Sequence, residues 1–468
     1  MTYAPDAPAA VPAARSAPVA PGVPGPPPAT PPAARGAWAG GWSRLRAEAT
    51  TEPGRLLILG AVLAALVVVF GAVTAYEVSD RAAAADDVVS RSQPLSADAA
   101  DIYRSLADAD TAAAGGFLAG AQEPADVRER YERDITTASR LLIKAAANTD
   151  GSSRSARDIA TLNEHLPRYT GLVERARAAN RQGLPLGGAY LRYANQQMST
   201  HLLPAAERLY EAETARLDQD DRSARGWPFL SLALGVVVVA ALLRAQRRTY
   251  LRTNRVFNRG LLAATVASTV MLLWLAAGHT LARAGLNEAR AHGQDSLKVL
   301  NEARINSLKA RANENLTVVA RGAVLTADGK RDKYETEYGT GMGKLSAALA
   351  EAGRLADDSA GGGPVADAVQ RVEEWKKRHE DARDTDDAGD YEGALAKVIG
   401  VEDSTGESFD QVDAALKKAL AHEQGEFTRA AEDGRGALTG LPVGAGALAV
   451  VGAAGAIMGI NRRLSEYR

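Results

Sequence analysis

Residues 56–76 read LLILGAVLAALVVVFGAVTAY, 21 consecutive residues without a charge. A bilayer core demands about 20 apolar helical residues, and an uncharged run of that length is uncommon inside a soluble protein. Three further blocks occur: 227–243 (WPFLSLALGVVVVAALL), 261–282 (LLAATVASTVMLLWLAAGHTLA) and 437–460, which is uncharged over 24 residues. The second is short, but Trp227 at its start suits an interfacial anchor. The leader and the apolar run of the first block are both too long for a cleaved signal peptide, so it reads as a retained anchor. The pattern predicts four membrane-spanning helices, at 55–76, 227–243, 261–282 and 437–460.

Arginine sets the expected orientation. The segment 244–260 carries Arg244, Arg247, Arg248, Arg252, Arg255 and Arg259 with no acidic residue. Arg44, Arg46 and Arg55 precede the first block, and Arg462, Arg463 and Arg468 come after the last. Short basic segments stay inside, so a multi-pass plasma-membrane protein is expected with both termini and the 244–260 loop cytoplasmic. Residues 77–226 and 283–436 then lie outside. The tail 1–54 is rich in Pro and Ala and is expected to be disordered, either a spacer or a docking peptide for a partner that reads extended Pro-rich chain. Residues 461–468 form a short cytoplasmic tail.

A net charge of -2 argues against nucleic acid, which calls for a basic excess, and the absence of Cys excludes disulfides and thiolate chemistry. The 44 Arg against 11 Lys, with abundant Ala, looks like the GC-rich codon bias of actinobacteria.

The chain is also duplicated. Arg81 and Leu95 match Arg283 and Leu297 at an offset of 202, and RYERD at 130–134 matches KYETE at 333–337 at 203. Tyr169, Ala176, Arg177 and Gly183 match Trp375, Ala382, Arg383 and Gly389 at 206, and Leu217, Arg225 and Gly226 match Phe427, Arg435 and Gly436 at 210. The offset only grows, as small loop insertions in a copied unit would make it. Each unit is a span, an outside domain and a second span. The outer segments lack period-two runs. Apolar residues at helical spacing predict helices at 126–147, 153–181 and 191–225, with breaks at 115–124, 149–152, 182–188, near Gly329, and at 357–364 and 384–390. The expected fold is an all-α membrane protein with two tandem antiparallel four-helix bundles, at 77–226 and 283–436, whose first and last helices run straight into the membrane.

A span, an outer four-helix bundle and a second span resemble the ligand-sensing halves of bacterial chemoreceptors and sensor kinases. Here only NRRLSEYR comes after the last span, with no output domain. Doubled in this way, residues 56–468 are similar to a family of actinobacterial four-span transducers. That resemblance implies a relay from an extracytoplasmic glutamate- or glutamine-binding lipoprotein to a cytosolic Ser/Thr kinase, and it assigns no residue a role.

No enzyme is expected. The six His are dispersed and show no metal-ligand spacing, so neither metal nor other cofactor is assigned, and nucleophile-elbow and phosphate-loop motifs are missing. Gly361-Gly362-Gly363 before Pro364 reads as a flexible turn. The spans carry no Asp, Glu, Lys or Arg within their apolar stretches, which argues against a pump or channel. Gly440, Gly444, Gly455 and Gly459 have the small-residue spacing of a helix-packing seam. Tyr169 and Trp375 sit at matching positions, either lining a sensor face or filling a core, and the acidic run 384–390 is either a cation site or a solvated turn. The lipid bilayer, a solute-binding lipoprotein and a kinase are the expected partners, with the arginines 244–259, Arg462 and Arg463 as relay candidates. The alternative is a structural or assembly protein of the cell envelope.

Overall fold

The computed structural model describes residues 52–464 except 150, 152, 254–257 and 401. Most of the Pro-rich tail, together with Arg255 and Arg468, therefore lies outside the described residues. The chain divides into two units, Met1–Ile58 and Leu59–Arg468. Of the first only residues 52–58 are described, as the opening turns of a helix, while the helical bundles and their grooves lie in the second.

Every regular element among the described residues is a helix, with one isolated bridge between Leu325 and Asp332. Helix α1 (Glu52–Asp87) passes through a π-helical turn, Val88–Ser92, into α2 (Gln93–Leu118) without a break. Helices α3 (Ala125–Ala147) and α4 (Arg154–Arg181) come next, then α5 (Leu186–Gln197), a second π turn and α6 (Leu203–Arg225), then α7 (Phe229–Thr253). The second half repeats this plan. Helix α8 (Arg259–Glu288) passes through a π turn, Ala289–Gln294, into α9 (Asp295–Ala320), succeeded by α10 (Lys333–Leu355) and α11 (Ser359–Asp387). It then departs, because a short α12 (Tyr391–Ile399) stands apart from α13 (Thr405–Leu438), before α14 (Leu441–Leu464). Ser404 caps α13 by accepting from Glu407 N at 3.1 Å, which starts a new helix where the first half runs on.

Four helical runs are long and apolar enough to cross a membrane: Gly54–Leu118, Leu186–Leu251, Arg259–Ala320 and Thr405–Arg462. Outward residues such as Val68, Val69, Val236, Val266, Leu273, Val450 and Ile457 are exposed, an apolar surface of the kind a membrane covers. The leading helices of both halves do run straight from span to bundle. The trailing helices do not, which corrects that expectation. The first is interrupted at Gly226, Trp227 and Pro228, and the second at Thr439 and Gly440, whose φ of +83° is a left-handed conformation that favours glycine.

The two bundles are not separate beads. Helices α2 and α9 lie against each other, and one continuous apolar core runs from Ile102, Leu106, Leu162 and Leu202 to Leu308, Leu345, Val372 and Phe409. Alanine makes the approach possible, with Ala107, Ala112 and Ala113 on α2 and Ala303 and Ala310 on α9 all buried. Asn315 Nδ2 donates to Thr111 O at 3.4 Å, and Gln93 Nε2 to Gln424 Oε1 at 2.8 Å. The structure is a dimer-like pair held in one chain.

Candidate functional site

Where the halves meet, two grooves open in matching places. The first, about 330 Å³, lies between α2, α5 and α6 of one half and α9 and α10 of the other. Lys333, Glu337 and Thr340 line it. The second, on the opposite flank, is lined by Arg130, Asp134 and Thr137, their counterparts at the offset of 203, so the RYERD and KYETE repeats face the interface.

Their electrostatics differ. In the second groove Arg130 pairs with Asp108 at 2.8 Å and, across the interface, with Asp410 at 2.8 Å. Asp413 takes both Arg304 at 2.7 Å and Lys417 at 2.9 Å. Burial and the neighbouring Asp108 push the Asp134 carboxyl up. This groove neutralises itself.

The first groove sets Lys309, Lys333 and Lys344 against Asp110, Glu207 and Glu337, but pairs them poorly. Thr200 and Leu203 stand where Asp410 and Asp413 stand in the other half, at the offset of 210. Lys333 is left with a long contact to Glu337, 3.8 Å. Among the described residues neither Lys309 nor Lys344 has an ion-pair partner within 4 Å, and burial, aided by Lys344, holds the Lys309 ammonium below its ordinary range although Glu207 and Glu302 draw it up. Asn195, Asn306 and Asn313 add amides, and Asp110, buried and bonded by Asn195 Nδ2 at 2.8 Å, is pushed up to about 6 by that burial. Two ammonium groups without an ion-pair partner, beside Lys333 and the Asn313 amide, are donors suited to a small anion.

The expected site residues fall elsewhere. Tyr169 and Trp375 are fully buried in the core. Trp375 Nε1 donates to the buried Glu314 at 3.1 Å, and Tyr169 lies beside Asp110, the residue matching Glu314. Arg244, Arg247 and Arg248 lie exposed on the last turns of α7, with Arg252 on the same helix, and Arg259 is exposed at the start of α8. The basic stretch is thus mostly helix rather than loop. Arg462 and Arg463 lie on α14. Gly455 and Gly459 pack on α8, where a Cβ on Gly455 would meet Gly260 O at 2.9 Å, and Gly444 meets the Trp274 ring. Gly440 does not belong with them. It sits at the helix break with nothing within 4 Å of a Cβ, so the spacing to Gly444 does not describe a packing pair.

The acidic run is spent internally, with Arg383 on Asp386 and Asp387 and Asp390 capping α12. Gly361 to Pro364 are not a loop but the first turns of α11, started by Asp358, whose Oδ1 accepts from Gly361 N at 2.7 Å. The helical spacing of His422 and Glu426 places a His and a carboxylate on one face, a signal present in the sequence but weak until Asp358 joins them in space. Lys309 and Lys344 carry no such signal, for a lone lysine on a polar helix looks ordinary until its missing partner is known.

Residues 84–222, which run from the end of α1 almost through α6, match the family model of an actinobacterial sensor domain. No curated protein and no solved structure matches the chain. The match and the four candidate spans support a sensor-type actinobacterial membrane protein, and a sensor domain is consistent with a non-enzymatic role.

Proposed function

We propose that the chain is a non-enzymatic transmembrane signal transducer. A small anion, or an extracytoplasmic solute-binding protein presenting one, engages the lysine-lined groove, and the two halves shift against each other. Both termini and the arginine-bearing ends of α7, α8 and α14 are cytoplasmic in this reading, where Arg244, Arg247, Arg248, Arg252, Arg255, Arg259, Arg462 and Arg463 present the change to a cytosolic partner such as a Ser/Thr kinase. The observation that carries the reading is continuity. Helices α2 and α9 form the interface between the halves, and each is joined without a break to an apolar span. A helix rises about 1.5 Å per residue, so a displacement at the groove reaches the far end of the span as a rigid-body motion.

Two measurements in cells test this. A photocrosslinker at Arg247 is expected to capture a Ser/Thr kinase, with capture lost in R244A/R248A while membrane insertion stays normal. A single cysteine at Thr136, in a chain that has none of its own, is expected to react with an impermeant reagent from outside. Labelling only after lysis would overturn the orientation and the relay with it.

A further inference from the structure

The turn between α10 and α11 meets α13 through a cluster that the sensor reading leaves unused. His422 and Glu426 lie one helical turn apart on α13 and project toward that turn. His422 Nε2 stands 3.4 Å from Asp358 Oδ1 and 3.4 Å from Glu426 Oε1. A charged hydrogen bond between imidazole and carboxylate closes to about 2.7–2.9 Å, so both contacts are long ion pairs. The Nε2 atom is shut off from solvent yet has no hydrogen-bond partner, and the same is true of Glu426 Oε2.

The spacing has another reading. In a tetrahedral centre with bonds of about 2.0–2.1 Å, adjacent ligand atoms stand about 3.4 Å apart. One oxygen each from Asp358 and Glu426 and the His422 nitrogen all lie within 4.8 Å of one another, the only such group among the described residues. Gly361 lets the turn close, since a Cβ there would stand 2.8 Å from Glu423 Oε1 and 3.2 Å from His422 Cδ2. The first half has nothing equivalent. Ala212 and Arg216 occupy the places of His422 and Glu426 at the offset of 210, so the first half lacks both helix-borne ligands.

We propose that Asp358, His422 and Glu426 bind a divalent transition-metal ion of the zinc class, with water as the fourth ligand. Two carboxylates balance the charge of a dication, and a neutral imidazole completes a nitrogen–oxygen donor set suited to it. The ion would clamp the α10–α11 turn to α13, the helix that leads into the last span, and would do so in the second half alone. The site is independent of the lysine groove, so either can fail without the other.

The test uses the full-length, tag-free protein in lipid nanodiscs, stripped with chelator and titrated with Zn2+ by calorimetry. One saturable equivalent is expected, and Co2+ in its place should give the strong visible absorption of a four-coordinate centre. H422A and E426Q should each weaken binding by more than about 100-fold, beyond what loss of an outer-shell partner costs. D358N, which keeps a side chain able to cap α11, should weaken it as well and covers the case that the α13 variants misfold. Absence of saturable binding to the wild type, or unchanged binding in H422A or in D358N, would show an ordinary charge cluster and overturn the proposal.

Discussion

His379 shows what one buried side chain does to the pH response of the second half. Its ring stacks on Tyr338 at 3.7 Å, its Nδ1 lies 2.8 Å from Glu314 Oε1 and its Nε2 3.1 Å from Glu335 Oε1. Burial works against the charge, but the bonds to Glu314 and Glu335 outweigh it and hold the imidazole up to about 9. A folded-state value above the ordinary 6.5 means stabilisation that is complete below about pH 6.5 and lost as pH rises through 9. Thermal unfolding of the wild type should therefore weaken between about pH 6.5 and 9.5 by about 2–3 kcal/mol, and H379Q should start lower and show no such fall. Asp110 shifts stability in the same direction with pH, but by penalising the folded state rather than by losing a stabilising bond. Burial pushes it up to about 6, a bond from Asn195 offsetting part of this, so folding is penalised increasingly as pH rises from about 4 through 6. D110N should match the wild type near pH 4 and exceed it at pH 7.5 by about 1–3 kcal/mol in the same melts. Only part of this chemistry was legible. The repeat pointed to Tyr169 and Trp375, but their carboxylate partners Asp110 and Glu314 sit in alanine-rich and charged helix sequence, where a buried acid looks no different from a solvated one.

At the scale of elements, two helices of the first bundle were legible almost to the residue, while the expected 191–225 begins at Leu186 and carries a π turn at Met198–Leu202. The expected 126–147 and 153–181 became Ala125–Ala147 and Arg154–Arg181, the latter capped by Ser153. Apolar spacing and a capping serine are local signals, and local signals survive in sequence. What failed depended on a neighbour. Gly361-Gly362-Gly363 has poor helix propensity, yet the Asp358 cap and the close approach to α13 hold it helical. Gly440 and Gly455 are alike in sequence, and only their surroundings make one a break and the other a packing surface. A packed glycine and an open one should separate by mutation. G455L sets a side chain against Gly260 O and the start of Ala264, and overpacking of that kind costs about 1–3 kcal/mol. Gly446 has nothing within 4 Å of its Cβ, so G446L should leave the melting midpoint of the detergent-solubilised protein near that of the wild type while G455L lowers it.

For the whole molecule, the duplication was legible because matching residues keep a slowly growing offset, and the offset gave no hint that the copies would fuse through α2 and α9. A repeat carries the identity of two units, whereas their docking depends on faces that each unit's own amphipathic pattern leaves ambiguous. Fusion then lets the copies differ, with Arg130 held between Asp108 and Asp410 on one flank and Lys309, Lys333 and Lys344 poorly matched on the other. If these poorly paired lysines form a binding site, a small dicarboxylate should stabilise the protein beyond the effect of sodium chloride at equal ionic strength. A ligand specific to the folded state adds about 2.7 kcal/mol when present at 100 times its Kd. T200D imports the charge that Asp410 supplies on the other flank and should pair with Lys333, so it is expected to raise the midpoint without ligand and to shrink the response to succinate. K309Q removes one of the unpaired ammonium groups and should do the same. Equal responses in wild type, T200D and K309Q would mean that the anion acts elsewhere, and that the difference between the flanks is only divergence between copies.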